Sequence, residues 1–226
     1  MKSYLSLLNK FKIIAKNKQY YEEAFTHSSF VHEHPEYRDY ERMEFVGDGV
    51  LDLVVADLIY KNFSHLDQGI MTKLRASFVC GKSLSNYARI YGFGECIRLG
   101  HGEALSGGRN SSKILEDVFE AFLGAYYLDA GFEPVYNLIS DIMLEDIKNF
   151  DVNSVTDYKS KLQEEIQTDR RGTISYRVVL EKGSSQNKEF TVEVLYDSII
   201  LGRGVGTSKK KAEQEAARDA LLKRVI

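Results

Sequence analysis

The sequence predicts two folded parts of different class. One is a mostly α N-terminal domain, a helical bundle over residues 1–150; the other is a small α+β C-terminal domain of order α-β-β-β-α over residues 157–226. Three observations predict this. Apolar residues recur at helical spacing from Leu5 to about Phe150. After residue 157 the period changes to strict alternation. Between the two, the polar stretch Asn149 to Thr156 carries no periodicity, so 151–156 reads as a linker. A chain of 226 residues has room for two modest domains, and its 43% hydrophobic content can give each a core.

In the first part the spacing predicts helices near 3–16, 20–25, 38–61, 70–91, 112–130 and 134–149. Thr26-His27-Ser28-Ser29 interrupts the second run, and His27 suits a residue that caps a helix end. Leu99 to Ser112 holds four Gly with Ser and Asn and reads as a loop. Pro134 fits the first turn of the last helix. In the second part Asp157 to Gln167 reads as a helix with Leu162 and Ile166 on one side. Tyr176, Val178 and Leu180 alternate along one strand, and Phe190, Val192, Val194 and Tyr196 along the next. A third strand, Ser198 to Val205, follows a tight Asp197-Ser198 connection. Ser208 to Arg224 closes the domain as a helix, with Ala212, Ala216, Ala220 and Leu221 toward the sheet.

Composition excludes some classes. The first 18 residues mix Leu and Ile with Lys and lack a signal-peptide core, and no later segment is apolar enough to span a membrane. Cys80 and Cys96 have neither metal nor disulfide spacing and suit a reducing cytoplasm. The expectation is a cytoplasmic protein with no membrane partner. Residues 1–150 carry 16 basic against 21 acidic residues, and residues 151–226 carry 14 against 12. That excess is too small to signal nucleic acid, so the placement of charge matters more.

Placement is most informative in Glu41-Arg42-Met43-Glu44-Phe45-Val46-Gly47-Asp48-Gly49-Val50-Leu51-Asp52. On a helix Glu41, Glu44, Asp48 and Asp52 share one stripe within an apolar run. A second acidic turn lies in Lys113 to Gly124, where Asp117 and Glu120 share a face with Gly124. Mid-helix glycines cost ~1 kcal/mol each against Ala, which suggests close approach of another backbone or a ligand at Gly47 and Gly49. Two such helices could set Glu44 and Asp48 opposite Asp117 and Glu120. Carboxylates so placed raise one another's pKa unless a cation intervenes. Bound Mg²⁺ would remove the conflict and supply a hydrolytic water. The other reading is that these acids are solvated or pair with Arg42, Arg75 and Lys113. Spacing alone leaves both open.

Near the C-terminus, Gly202 to Glu213 puts Lys209, Lys210 and Lys211 at the start of a helix, where the macrodipole is already positive. That arrangement suits a docked phosphate. Glycines before it could let the backbone come near a phosphodiester chain.

Glu41-Arg42-Met43-Glu44-Phe45-Val46-Gly47-Asp48 resembles the signature of the ribonuclease III family, usually written with Leu at the third and sixth places. Ile114-Leu115-Glu116-Asp117-Val118-Phe119-Glu120-Ala121 is similar to that family's second acidic motif. Phe25 to Ser29 and Gly100 to Gly108 match two further blocks in type and order. The C-terminal part resembles a double-stranded-RNA-binding domain. The resemblance implies a ribonuclease III-like helical fold and Mg²⁺-dependent hydrolysis of both strands of double-stranded RNA, with Mn²⁺ able to substitute. It also implies 5′-phosphate and 3′-hydroxyl ends with short 3′ overhangs, and structured ribosomal, transfer or messenger RNA precursors as substrates. By position, Glu44, Asp117 and Glu120 ligate the metal. Asp48 and Glu120 are the catalytic residues, and Glu41 is an accessory acid. Family members are homodimers, and Phe45 matches an aromatic knob at their interface.

In the C-terminal domain the same resemblance assigns RNA contacts to Ser208, Lys209 and Lys210, with Lys211 a weaker candidate. Ser160, Gln163 and Glu164 on the first helix face one minor groove. Gln186, in the loop Gly183 to Lys188, stands where relatives often place His to reach the next. Such contacts select RNA by shape rather than sequence. Three positions depart from the family pattern: Gln68 stands where many relatives have Glu, Tyr40 replaces the usual Asn, and Gly49 sits where Ser or Ala is common. The alternatives from other classes are a non-cleaving double-stranded-RNA-binding protein and a helical scaffold.

Overall fold

A computed structural model describes residues 3–169, 173–184 and 187–223. The chain divides into two units, Met1–Val155 and Thr156–Ile226. The first is helical: α1 (Leu5–Lys10), α2 (Lys18–Ala24), α3 (Ser28–Glu33), α4 (Glu41–Asn62), α5 (Gln68–Val79), α6 (Gly81–Tyr91), α7 (His101–Leu105), α8 (Ser112–Ala130) and α9 (Phe132–Lys148). The segment expected as a linker holds a short 3-10 turn, Val152–Ser154, begun by Asp151, whose side chain accepts from the Asn153 N–H.

The centre of this unit is α8. Every residue from Ile114 to Ala125 except Glu116 is buried, so the helix reads as apolar on all sides and must be packed on all sides. Phe119 and Phe122 join Phe25 and Phe93 in one aromatic cluster, with Phe93 lying 5.5 Å from Phe119 and 5.3 Å from Phe122. On another face α8 meets α4 through glycines. A methyl group at Gly47 would strike the Glu120 carbonyl, and one at Gly124 would strike the Met43 carbonyl. The two backbones therefore touch directly. Gly49, by contrast, faces open space and needs no glycine for packing, against the expectation that both glycines beside Asp48 mark a close approach.

Three helix expectations are corrected. The run 3–16 is helical only to Lys10; Lys12 has φ 57° and Ile13 folds back onto Leu8. The following backbone is held instead by Asp129, which accepts from the N–H groups of Lys16 and Asn17 at 3.0 and 2.6 Å. The run 70–91 is two helices, broken at Cys80 in extended conformation. Gly81, the first residue of α6, packs against the Glu116 carboxylate, a favourable place for an acid at a helix start. The glycine-rich stretch after Leu99 contains α7.

In the second unit α10 (Tyr158–Asp169) and α11 (Lys209–Lys223) pack with a three-stranded antiparallel sheet in the order β1-β2-β3, formed by Ile174–Lys182, Glu189–Tyr196 and Ile199–Gly206. Leu162 and Ile166 are buried with Val192, Val194 and four α11 alanines. Asp197 and Ser198, with φ 44° and 71°, make the tight turn between β2 and β3. A bulge between Val178 and Leu180 shifts the register of β1 and ends the simple alternation expected there. The β3 glycines are also corrected. Methyl groups at Gly202, Gly204 and Gly206 would strike the α11 backbone at Ala216, Ala212 and their neighbours. These glycines serve helix-on-sheet packing, not approach to a ligand.

Gly47→Ala should therefore destabilise the first unit by about 2–3 kcal/mol or more, because backbone, not a flexible side chain, blocks the new methyl. Gly49→Ala should be neutral or stabilising by up to about 1 kcal/mol. Thermal unfolding of the two variants checks the contrast.

Candidate active site and RNA-facing residues

The close approach of α4 and α8 delivers five acids to one cleft. Its lining includes His27, Ser28, Tyr40, Glu41, Glu44, Phe45, Asp48, Lys113, Asp117 and Glu120, around a volume of about 610 Å³. Glu44, Asp117 and Glu120 each present a carboxylate oxygen such that all three lie within 4.8 Å of one another. Asp117 and Glu120 are buried and Glu44 is half-buried, while Glu41 and Asp48 line the same cleft from exposed positions. Asp52, expected on the same stripe, does not reach the cleft and pairs with Arg75 at 3.7 Å.

The cluster is electrostatically strained. Burial, then the charges of Asp48 and Glu44, push the Glu120 carboxyl up to about 8. Burial and Asp117 also raise Glu44, with Lys113 opposing. Asp117 is held from two sides. The Tyr40 hydroxyl donates to Oδ2 at 3.2 Å. The Lys113 ammonium lies 2.6 Å from buried Oδ1 and forms an ion pair with it. The pairing with Lys113 allowed by the sequence is thus present, and among the described residues neither Glu44 nor Glu120 has an ion-pair partner of its own. An all-oxygen donor set converging within 4.8 Å and a carboxyl raised to about 8 fit a hard divalent cation.

The segment Phe25 to Ser29 builds one wall. The Thr26 carbonyl accepts from the Tyr40 N–H at 3.0 Å, which sets the entry to α4. Arg98 N–H donates to the Phe25 carbonyl, and the Ser29 hydroxyl accepts from Gly100 N–H at 3.0 Å. His27 caps α3: its Nδ1 accepts from the Ser29 N–H at 3.1 Å, and its ring packs 5.7 Å from that of Tyr40. Phe30 to Asp39, for which the sequence offers no assignment, supplies aromatic cover for Arg98, whose guanidinium lies 4.9 Å from the Tyr37 ring. No sequence signal connects Tyr40 to Asp117, since 77 positions separate them. Lys113 could have been found from its i,i+4 spacing to Asp117.

Phe45 projects from the cleft rim and is 82% exposed, which excludes an ordinary core phenylalanine. Leu53 and Tyr60, at helical spacing from it, are also exposed. They border a second, more apolar groove lined by Met71, Gln68 and Arg75 of α5.

In the second unit the hydroxyl of Ser160 donates to Asp157 at 3.0 Å, while Gln163 and Glu164 are exposed on α10. Lys159 pairs with Glu213 at 2.6 Å, and Gln214 donates to Asp157 at 2.9 Å, so the start of α10 is tied to α11. The Ser208 hydroxyl accepts from Lys211 N–H and caps α11, leaving exposed Lys209 and Lys210 in its first turn. Gln186 lies outside the described residues. On the sheet, Glu193 bridges Arg177 and Arg203, and these guanidinium groups hold its carboxyl below the usual range.

Comparison with known proteins agrees with this division. A family model described as Ribonuclease-III-like matches residues 17–147, and one described as a double-stranded RNA binding motif matches residues 158–224. Ribonuclease 3 of Geobacillus kaustophilus is 46% identical over 220 residues, spanning 96% of this chain and 89% of that protein. Ribonuclease 3 of Halalkalibacterium halodurans is 45% identical over 218 residues, spanning 96% and 83%. The crystal structure of the nuclease domain of ribonuclease III from Campylobacter jejuni superposes with a TM-score of 0.60 at 33% identity, covering 67% of this chain and all of that one. Among the described residues no helix is long and apolar enough to cross a membrane.

The raised carboxyl of Glu120 has a pH consequence. The unfolded chain releases that proton near 4.5 and the folded chain near 8. The folded state therefore binds more protons in between, and stability falls as pH rises through that window. Without divalent ions the melting temperature should drop from pH 5 to pH 8. Glu120→Gln should flatten the drop and melt about 2–4 °C higher at pH 8, on the order of 1 kcal/mol. Equal slopes for the two proteins in calorimetry would contradict this origin of the strain.

Proposed function

The chain belongs to the ribonuclease III family and carries a double-stranded-RNA-binding domain, and from that premise we propose that it is a homodimeric, Mg²⁺-dependent endoribonuclease that cuts both strands of structured RNA. The observation that carries the metal reading is the convergence of Glu44, Asp117 and Glu120 within 4.8 Å, in a setting that raises Glu120 to about 8. Mg²⁺ is the natural occupant and Mn²⁺ a substitute, because both accept carboxylate oxygens. An ion held there supplies Lewis-acid polarisation of the phosphodiester and an activated water.

The chain's own residues do the rest. Glu44, Asp117 and Glu120 hold the ion, with Asp117 fixed by Tyr40. Asp48 and Glu120 act on the proton of the attacking water, and exposed Glu41 extends the anionic rim. Cleavage leaves 5′-phosphate and 3′-hydroxyl ends with short 3′ overhangs, one strand being cut at each subunit's site. Exposed Phe45, with Leu53 and Tyr60 beside an apolar groove, supports a dimer formed through α4. Residues 1–150 would cut and dimerise, and 157–226 would grip the duplex. Ser160, Gln163, Glu164 and the loop residue Gln186 reach minor grooves, while Ser208, Lys209 and Lys210 hold phosphates across the groove between. Precursors of ribosomal, transfer and messenger RNA are the substrates. Two free cysteines, one of them exposed, suit work in the cytoplasm.

Incubating an RNA duplex with the protein should give cleavage with Mg²⁺ and none with chelator. Glu120→Gln should lower cutting by at least about a thousandfold, as loss of a metal ligand does to Lewis-acid catalysis, yet still bind duplex. Changing Lys209 and Lys210 to Ala should instead weaken binding uniformly across sequences and reduce its salt dependence. An intact duplex under both conditions would make the protein a binder rather than a nuclease. Phe45→Ala should shift sedimentation toward the monomer at micromolar concentration while the fold by circular dichroism stays native. An unchanged dimer would remove Phe45 from the interface.

A further inference from the structure

The two oxygens of the Asp117 carboxylate have different partners. Oδ2 accepts a hydrogen bond from the Tyr40 hydroxyl at 3.2 Å, and buried Oδ1 faces the Lys113 ammonium at 2.6 Å. Tyr40 is itself fixed. Its side chain is 5% exposed, its N–H is bonded to the Thr26 carbonyl, and its ring lies 5.7 Å from that of His27, which is locked as the cap of α3. The ring therefore has no room to swing the hydroxyl elsewhere. A hydroxyl with a rigid stem is a better tether for a carboxylate than a mobile side chain, because little rotamer freedom is lost on bonding.

Resting on the divalent-ion reading above, we propose that Tyr40 is a positioning residue for the metal site: its hydroxyl tethers Asp117 Oδ2 and so holds that carboxylate facing Glu44 and Glu120. Tyr40 acts through Asp117 and touches neither ion nor RNA. Burial, with Asp117 and Glu44 beside it, raises the hydroxyl's pKa and keeps it a donor at neutral pH. Outer partners that orient a ligand by hydrogen bonding commonly contribute 10–100-fold to metal affinity. The role needs a donor aimed at Asp117, which the Tyr40 hydroxyl supplies with its ring packed against His27.

The test is titration of the full chain with Mn²⁺ alone, reading the free-ion electron paramagnetic resonance signal, for wild type, Tyr40→Phe, Tyr40→Asn and Asp117→Asn. Tyr40→Phe should weaken Mn²⁺ binding about 10-fold or more. The Mg²⁺ midpoint for duplex cleavage should rise by the same factor, while the cutting rate at saturating Mg²⁺ changes less. Binding of duplex without divalent ions should not change. Tyr40→Asn, which restores a donor, should recover part of the affinity. Wild-type Mn²⁺ affinity in natively folded Tyr40→Phe would overturn the tether and leave the metal site standing. Wild-type protein that binds no Mn²⁺, or Asp117→Asn that binds it undiminished, would overturn both. Should Tyr40→Phe fold poorly, Tyr40→Asn carries the test, and a loss larger than that of Asp117→Asn would mark a structural role and overturn the proposal.

Discussion

The contact on which the N-terminal unit depends is backbone against backbone, where Gly47 of α4 meets Gly124 of α8. Any side chain at either position would hold the helices apart. Glu44 and Asp48 precede and follow one glycine, and Asp117 and Glu120 lie two turns and one turn before the other. The spacing of the acids is therefore set by the absence of two methyl groups. It is also what makes the acids expensive to hold. Like charges brought this near in a partly dry cleft raise one another's pKa, and Glu120, the most crowded, is raised to about 8.

That electrostatic cost is accommodated by architecture rather than neutralised by side chains. Lys113 reaches Asp117 only, and Glu44 and Glu120 have no basic partner among the described residues close enough to ion-pair with them. The surrounding aromatic core of Phe25, Phe93, Phe119 and Phe122 keeps α8 from moving to relieve the repulsion. A rigid anionic site has a use where a cation and a phosphate meet, and the family to which the chain belongs cuts RNA. The Phe25–Ser29 and Arg98–His101 segments contribute no acid. They fix the first residues of α4 through Thr26 and Tyr40, and so fix the angle at which the acids enter.

The C-terminal unit uses small residues in the same way. Gly202, Gly204 and Gly206 lie against Ala212, Ala216 and their neighbours, and α11 comes down onto β3. Close packing positions the start of that helix rigidly relative to the sheet. The first turn, with Lys209 and Lys210, is thereby held where phosphates can dock on a helix N-terminus. The pair Glu193–Arg203 pins β3 to β2 from the other face of the sheet.

Much of this was legible in the chain of letters, for reasons that differ by residue. The periods of α4 and α8, the pairing of Glu44 with Asp48 and of Asp117 with Glu120, and the alternation of β2 are local patterns, and local patterns follow from helix and strand geometry alone. The break at Cys80 was not legible, because the interruption depends on the Glu116 carboxylate packed against Gly81 from another helix. Nor was the role of the β3 glycines, whose neighbours lie on α11. Gly47 and Gly49 look alike in sequence and differ only in what stands opposite.

By itself the sequence determined the long helices α4 and α8 and the α-β-β-β-α order, which faces carry acid or lysine, and which family the chain resembles, since each is written in the identity and spacing of near neighbours. Tertiary structure alone decided that Glu44, Asp117 and Glu120 share one site while Asp52 turns away to Arg75. It alone put Tyr40 on Asp117. Those outcomes depend on distances between helices, and a distance between helices is set by packing across the core, which no stretch of sequence contains.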